Sequence, residues 1–134
     1  MKRTFKLILA VLFIVASCIS CYAKSSQGKS SNTNDLVYSA AKTTLQNVAK
    51  DPGSIQVYRQ GILETMVHND KTYYLVQMDA SGTNSFGGRI RNWYIVEVII
   101  GNDGRKYTRN NVQSFDYKPT STQISLCKAL FGWN

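Results

Sequence analysis

Histidine and cysteine are nearly missing from this chain. His68 is the one histidine, and of three cysteines Cys18 and Cys21 lie near the start, which leaves Cys127 alone in the body of the sequence. One imidazole and one thiol cannot fill a tetrahedral zinc site. Long apolar runs are missing too: the stretch from Leu7 to Val15 falls well short of the about 20 residues that a membrane-spanning helix needs. Acids are scarce, 8 against 16 Lys and Arg. Asn102-Asp103-Gly104 lacks the spaced acids and terminal Glu of a calcium loop. Gly28-Lys29-Ser30 lacks the earlier glycine of a phosphate-binding loop, because Ala23 stands there. No metal and no cofactor is expected.

What is present begins with an address. MKRTFK, LILAVLFIV and ASCISCYA follow one another as a basic head, a short apolar run and a small-residue segment, the order of a secretory signal peptide over residues 1–23. Two processing readings compete. Cleavage after Ala23 releases a soluble chain beginning at Lys24. Val15-Ala16-Ser17-Cys18 instead looks like a lipobox, so that residues 1–17 leave and Cys18 carries the lipid that holds the protein on a membrane. Residues 24–34, KSSQGKSSNTN, contain no apolar side chain and form a polar tether with a reach of about 20 Å. That tether favours the anchored form over a soluble periplasmic or secreted one. Either way the protein is exported to the cell envelope.

Removing residues 1–23 takes Lys2, Arg3 and Lys6 from the 16 basic residues and none of the 8 acids, which leaves 13 against 8, or +5. Such a balance suits an anionic envelope component, or simply keeps the chain in solution. Cys127 falls at helical spacing among apolar residues and reads as a buried free thiol.

Residues 35–134 read as one α+β domain: an N-terminal helix, an antiparallel meander of four to five strands, and a C-terminal helix, in two layers. Asn34 or Asp35 caps the first helix, and Val37, Ala41, Leu45 and Val48 build its apolar stripe. Lys50 suits its C-terminal end and Pro52 forbids its continuation. Strands are expected over 54–60, 62–67, 73–80, 90–100 and 105–110, with turns at 68–71 and 101–104. The last helix, from about 120 to 131, buries Ile124, Cys127 and Leu130 or Phe131 and stops at Gly132.

Lys50-Asp51-Pro52-Gly53-Ser54, followed thirty residues later by Asn84-Ser85-Phe86-Gly87-Gly88, resembles a group of small exported bacterial and prophage-encoded proteins. In that group a helix ends in Lys-Asp-Pro-x-Ser and a later strand leads to Asn-Ser-Phe-Gly-Gly. The resemblance covers roughly residues 45 to 100 and implies export, but no reaction. The chain departs from the group where a Cys-Gly pair and an Asn are common, since Gln77-Met78 and Ser81 stand there. Any disulfide that the group implies is thereby in doubt.

For catalysis, His68 would need a nucleophile such as Ser54 or Ser81 and an acid such as Asp79, yet His-Asn-Asp is also ordinary turn chemistry. Glu64, Asp70 and Asp79 could pair as glycosidase carboxylates, but strand acids of this kind are usually solvated. The reading is a binding module rather than an enzyme. Its candidate surface starts at Asn84 and Phe86. Side chains alternate along a strand, so Arg89, Arg91 and Trp93 share one face while Ile90, Tyr94, Val96, Val98 and Ile100 face the helices. If Asn102-Asp103-Gly104 closes a three-residue hairpin with Gly104 left-handed, Ile99 lies opposite Tyr107 and Glu97 opposite Arg109, which adds Tyr107 and Arg109 to the basic face. Arg beside Trp suits stacking and bidentate contact with anions. The partner implied is an anionic envelope component or an envelope protein. Alternatives are a secreted inhibitor of a wall hydrolase, against which the +5 charge counts, and a hydrolase built on His68.

Overall fold

The computed structural model describes residues 33–133. The signal segment, Cys18 and the tether up to residue 32 lie outside them. The architecture that follows is that of the unit Leu36–Asn134.

Helix α1 occupies residues 33–48, so Asn34 and Asp35 lie inside it rather than capping it. Val37, Ala41 and Leu45 are buried as their spacing demands, with Ala40 between them. Val48 departs from expectation and is exposed, because the buried stripe runs through Ala40, Ala41, Thr44 and Leu45 to Ala49 and Val48 falls beside it. A short 3-10 turn, Pro52–Ser54, carries the chain into the sheet.

The strands are β1 Gln56–His68, β2 Lys71–Thr83, β3 Arg89–Gly101, β4 Lys106–Tyr107 and β5 Val112–Phe115. The first three are paired in meander order, and β4 and β5 both pair with the free edge of β3. Two expected strands merge into β1: Gly61 does not break the chain, and register shifts at Val57/Arg59 and Ile62/Glu64 absorb the irregularity instead. Asn69 and Asp70 both hold positive φ, 47° and 59°, and close the β1–β2 hairpin in two residues.

Beyond β3 the expected register holds at first. Gly101 N–H donates to Arg105 O at 2.8 Å, Gly104 has φ 79°, and Ile99 lies opposite Tyr107. Pairing then stops. Asn110 turns left-handed at φ 53°, and the ladder resumes at Val112, opposite Val96. The expected strand over 105–110 is thus shorter, and β5 was not foreseen.

The α+β class and the meander are as the sequence implies, but the layering differs. Val76, Met78, Ala80, Val96, Val98 and Ile100 pack with α1. Tyr73, Leu75, Ile95 and Ile99 pack on the opposite sheet face with Cys127, Phe131 and Trp133. Each helix takes one face, because β2 and β3 are apolar at successive positions and leave no solvated face at their centre. Helix α2, Ser121–Phe131, starts from a Thr120/Gln123 capping box and ends at Gly132, φ 80°. Phe131 is buried and Leu130 is exposed.

Candidate functional site

The loop between β2 and β3 is built around one side chain. Asn84 Oδ1 accepts the backbone N–H of Phe86 at 3.0 Å and of Gly88 at 2.9 Å. Asn84 N–H donates to Gly88 O, and Gly87 N–H to Asn84 O. Gly87 sits at φ 80°, a conformation that favours glycine. Five residues are therefore fixed by four hydrogen bonds, and Phe86 stands on that frame 96% exposed. It does not tuck back onto the sheet.

The 50–54 and 84–88 stretches meet here. Lys50 Nζ donates to Ser85 Oγ at 2.5 Å. Ser54 Oγ donates to Asp51 O and accepts the N–H of Thr83, both at 2.8 Å. An added Cβ at Gly82 would come within 2.8 Å of Ile55 Cδ1, so the Ile55 side chain packs directly over this glycine. Between the segments lies an open cleft of about 290 Å³, lined by Lys50, Ile55, Asn84, Ser85 and Tyr94 among others.

The basic exit from the loop is tied into the sheet. Arg91 forks onto Asp79, Nε to Oδ1 at 2.8 Å and Nη2 to Oδ2 at 2.7 Å, and its guanidinium lies 4.2 Å from the Tyr58 ring centre. Arg89 donates to Ser81 Oγ at 2.8 Å, Gln56 Oε1 at 2.6 Å and Ser54 O at 3.2 Å. Asp79, read as a solvated strand acid, is buried, and the hydrogen bonds from Arg91 hold its pKa below the ordinary carboxylate value. The Tyr58 phenol is lowered as well, first by its hydrogen bond with Ser81 and then by Arg89.

The wider basic face divides in two. Arg89, Arg91 and Trp93 do share a face with Tyr107 and Arg109, but six residue steps along β3, about 20 Å, separate Arg91 from Glu97. Ile95 and Ile99, which lie between and beyond, are covered by α2. Tyr107 sits under Lys71 Nζ at 4.4 Å. Arg109 donates to Phe131 O at 3.3 Å and stands 3.7 Å from Glu97 Oε1. Its role is to join helix end and sheet. Sharing a face follows from periodicity; contiguity depends on where the helix docks.

A second concavity went unread in the sequence. Arg59, Gln60, Gly61, Gln77, Trp93 and Lys118 line a cleft of about 220 Å³. Gly61 lies opposite Gln77 in the ladder, and a Cβ added there meets nothing within 4 Å. Gln77 is buried, and its Nε2 has no hydrogen-bond partner. A buried donor left unpaired costs about 1–3 kcal/mol. Its signal was a polar residue inside the apolar run from Tyr73 to Met78.

The residues that a hydrolase would need are not brought together. His68 and Ser81 lie near opposite ends of the β1–β2 ladder, about 35 Å apart along it. The one side-chain hydrogen bond of His68 among the described residues is with Asn69, at 2.9 Å. Ser54 and Ser81 are engaged as above, and Glu64 binds Lys128 at 2.7 Å. Among the described residues no group of three or more His, Cys, Asp or Glu side chains could hold a metal, and no helix is long and apolar enough to cross a membrane. Comparison with protein-family models, with curated proteins and with solved structures finds no match.

Proposed function

We propose that the chain is an exported, non-catalytic interaction module of the cell envelope, and that the 84–88 loop is its contact point. The observation that carries this reading is the presentation of Phe86. A phenylalanine free to bury itself gains about 1.5–3 kcal/mol by doing so. Here four hydrogen bonds fix the loop and the ring remains in solvent. Rigid presentation of an aromatic lowers the ordering cost of binding and suits a hydrophobic anchor for another molecule's pocket. The signal-like start and the polar tether supply the location, with Cys18 as the acylated anchor.

The same loop geometry favours one second reading, insertion into the cleft of a wall hydrolase as an inhibitor. Site-specific photo-crosslinking in intact cells tests both. A crosslinker at position 86 should give a discrete adduct in the envelope fraction, and one at Tyr117, also largely open to solvent but elsewhere, should not. Identical adducts from both positions, or none from position 86, would remove the loop as contact point. An adduct with a wall hydrolase, together with inhibition of that enzyme, would select the second reading.

A further inference from the structure

We propose that the concavity lined by Arg59, Gly61, Gln77, Trp93 and Lys118 is a binding site for an oxyanion, a carboxylate or phosphate group, carried on a small ligand whose apolar part lies against Trp93. This site is independent of the 84–88 loop, so either proposal can fail alone.

The cleft exists because of one omission. Gly61 puts no side chain on β1 opposite Gln77, and the space that a Cβ would enter is open. At about 220 Å³ the hollow has room for several water volumes of about 30 Å³, or for a compact anion with a short substituent. Its charged lining is of one sign. Arg59 is largely exposed, its Nε 3.7 Å from Asp79 Oδ2, while the two oxygens of that carboxylate are held by the Arg91 fork. Arg59 therefore keeps most of its donors for another acceptor. Lys118 is exposed and enters no ion pair or hydrogen bond among the described residues. No acid lines the hollow.

Gln77 supplies the second, independent observation. A buried carboxamide whose NH2 has no partner is rare in a folded chain, and this one lies in the wall of the hollow. An oxyanion in the hollow receives charged donors from Arg59 and Lys118, while the Trp93 indole offers a flat wall. Arg59 is a planar donor of the kind that matches carboxylate and phosphate oxygens.

The test uses the full processed chain, with the side-chain amide signals of Gln77 and the indole signal of Trp93 followed by NMR. Sodium acetate and inorganic phosphate are titrated separately, each beside sodium chloride at equal ionic strength. The expected result is a saturable shift of both signals with acetate, phosphate or both, the responding arm naming the anion class, and no such shift with chloride. Gly61→Leu fills the cleft from an extended strand position and should abolish saturation with the fold intact. Lys118→Ala, on the surface, should weaken binding about two- to fivefold. Signals that ignore both anions, or follow chloride equally, overturn the proposal. So does a folded Gly61→Leu protein that binds like the parent. Should that variant not fold, unchanged affinity in Lys118→Ala overturns it.

Discussion

Trp133 donates its indole N–H to Glu97 Oε2 at 2.6 Å across 36 positions of sequence, and this bond pins the residue just past α2 to the middle of β3. Glu97 is buried, and Asn111 Nδ2 donates to its other oxygen at 3.1 Å. With Arg109 beside it, three side chains from two segments replace the water that a buried carboxylate loses. Trp133→Phe keeps a ring edge-on to Tyr73, now 6.4 Å away, and removes only the donor. The expected loss is about 1.5–3 kcal/mol in urea unfolding. Trp133→Ala, which also empties the space, should lose about 3–5 kcal/mol.

The Arg91–Asp79 fork makes stability fall in acid. The folded pKa of Asp79 is depressed, chiefly by the Arg91 hydrogen bonds, so as pH drops the unfolded chain takes up this proton first. The contribution is complete above the unfolded value of about 3.9 and is lost as pH falls through the folded value. The gap in urea midpoint between the parent and Asp79→Asn should therefore be constant near neutrality and shrink below about pH 4. A gap that widens in acid would contradict the assignment. At neutral pH, Arg91→Ala should cost more than Asp79→Ala, because it leaves a buried carboxylate with only the distant Arg59, whereas Arg91 itself can turn to water.

Cys127 is buried between α2 and the sheet, and burial raises its thiol pKa. The thiolate is the reactive form, so the native protein should resist a thiol reagent and label only as it unfolds. Cys127→Ser places a hydroxyl in the same apolar cluster and should cost about 1–3 kcal/mol. Rapid native labelling would mean that α2 is not docked as described.

How far the sequence could be read follows the range of each interaction. The ends of α2, the two-residue hairpin at Asn69–Asp70 and the left-handed Gly104 are local, and turn chemistry announces them. Register around Gly101 follows from that turn, and with it the pairing of Ile99 and Tyr107. What sequence periodicity does not contain is which sheet face a helix docks on. Nothing in Ile124 or Cys127 says that α2 lies over Ile95 and Ile99 rather than Val96 and Val98, and for that reason the basic face looked continuous. β5 was missed because Gln113 and Ser114 interrupt its apolar pattern. The Gln77 cleft was missed because Gly61 reads as a break when only one strand is considered, and as a gap only when its neighbour is known. Near the loop the motifs were visible, but their contact across 35 positions was not.

That contact supplies the last prediction. The Ser54 hydroxyl donates to Asp51 O and accepts from Thr83 N–H, so one oxygen joins the turn after α1 to the end of β2, where the Asn84 loop begins. Ser54→Ala leaves the Thr83 N–H without its partner and should cost about 1–3 kcal/mol in global stability. Its signature should be local as well. The amides of Thr83, Phe86 and Gly88 should exchange faster, since the loop's base is loosened, while β1–β2 amides near Asn69 remain protected. Lys50→Ala removes the neighbouring contact with the Ser85 hydroxyl, which is exposed, and should change global stability by less than about 0.5 kcal/mol. If Ser54→Ala left exchange at Thr83 unchanged, the two segments would be neighbours without being coupled. Faster exchange at Thr83 and Phe86 but not near Asn69 would show that the Lys-Asp-Pro-Gly-Ser turn acts as the base of the loop that presents Phe86.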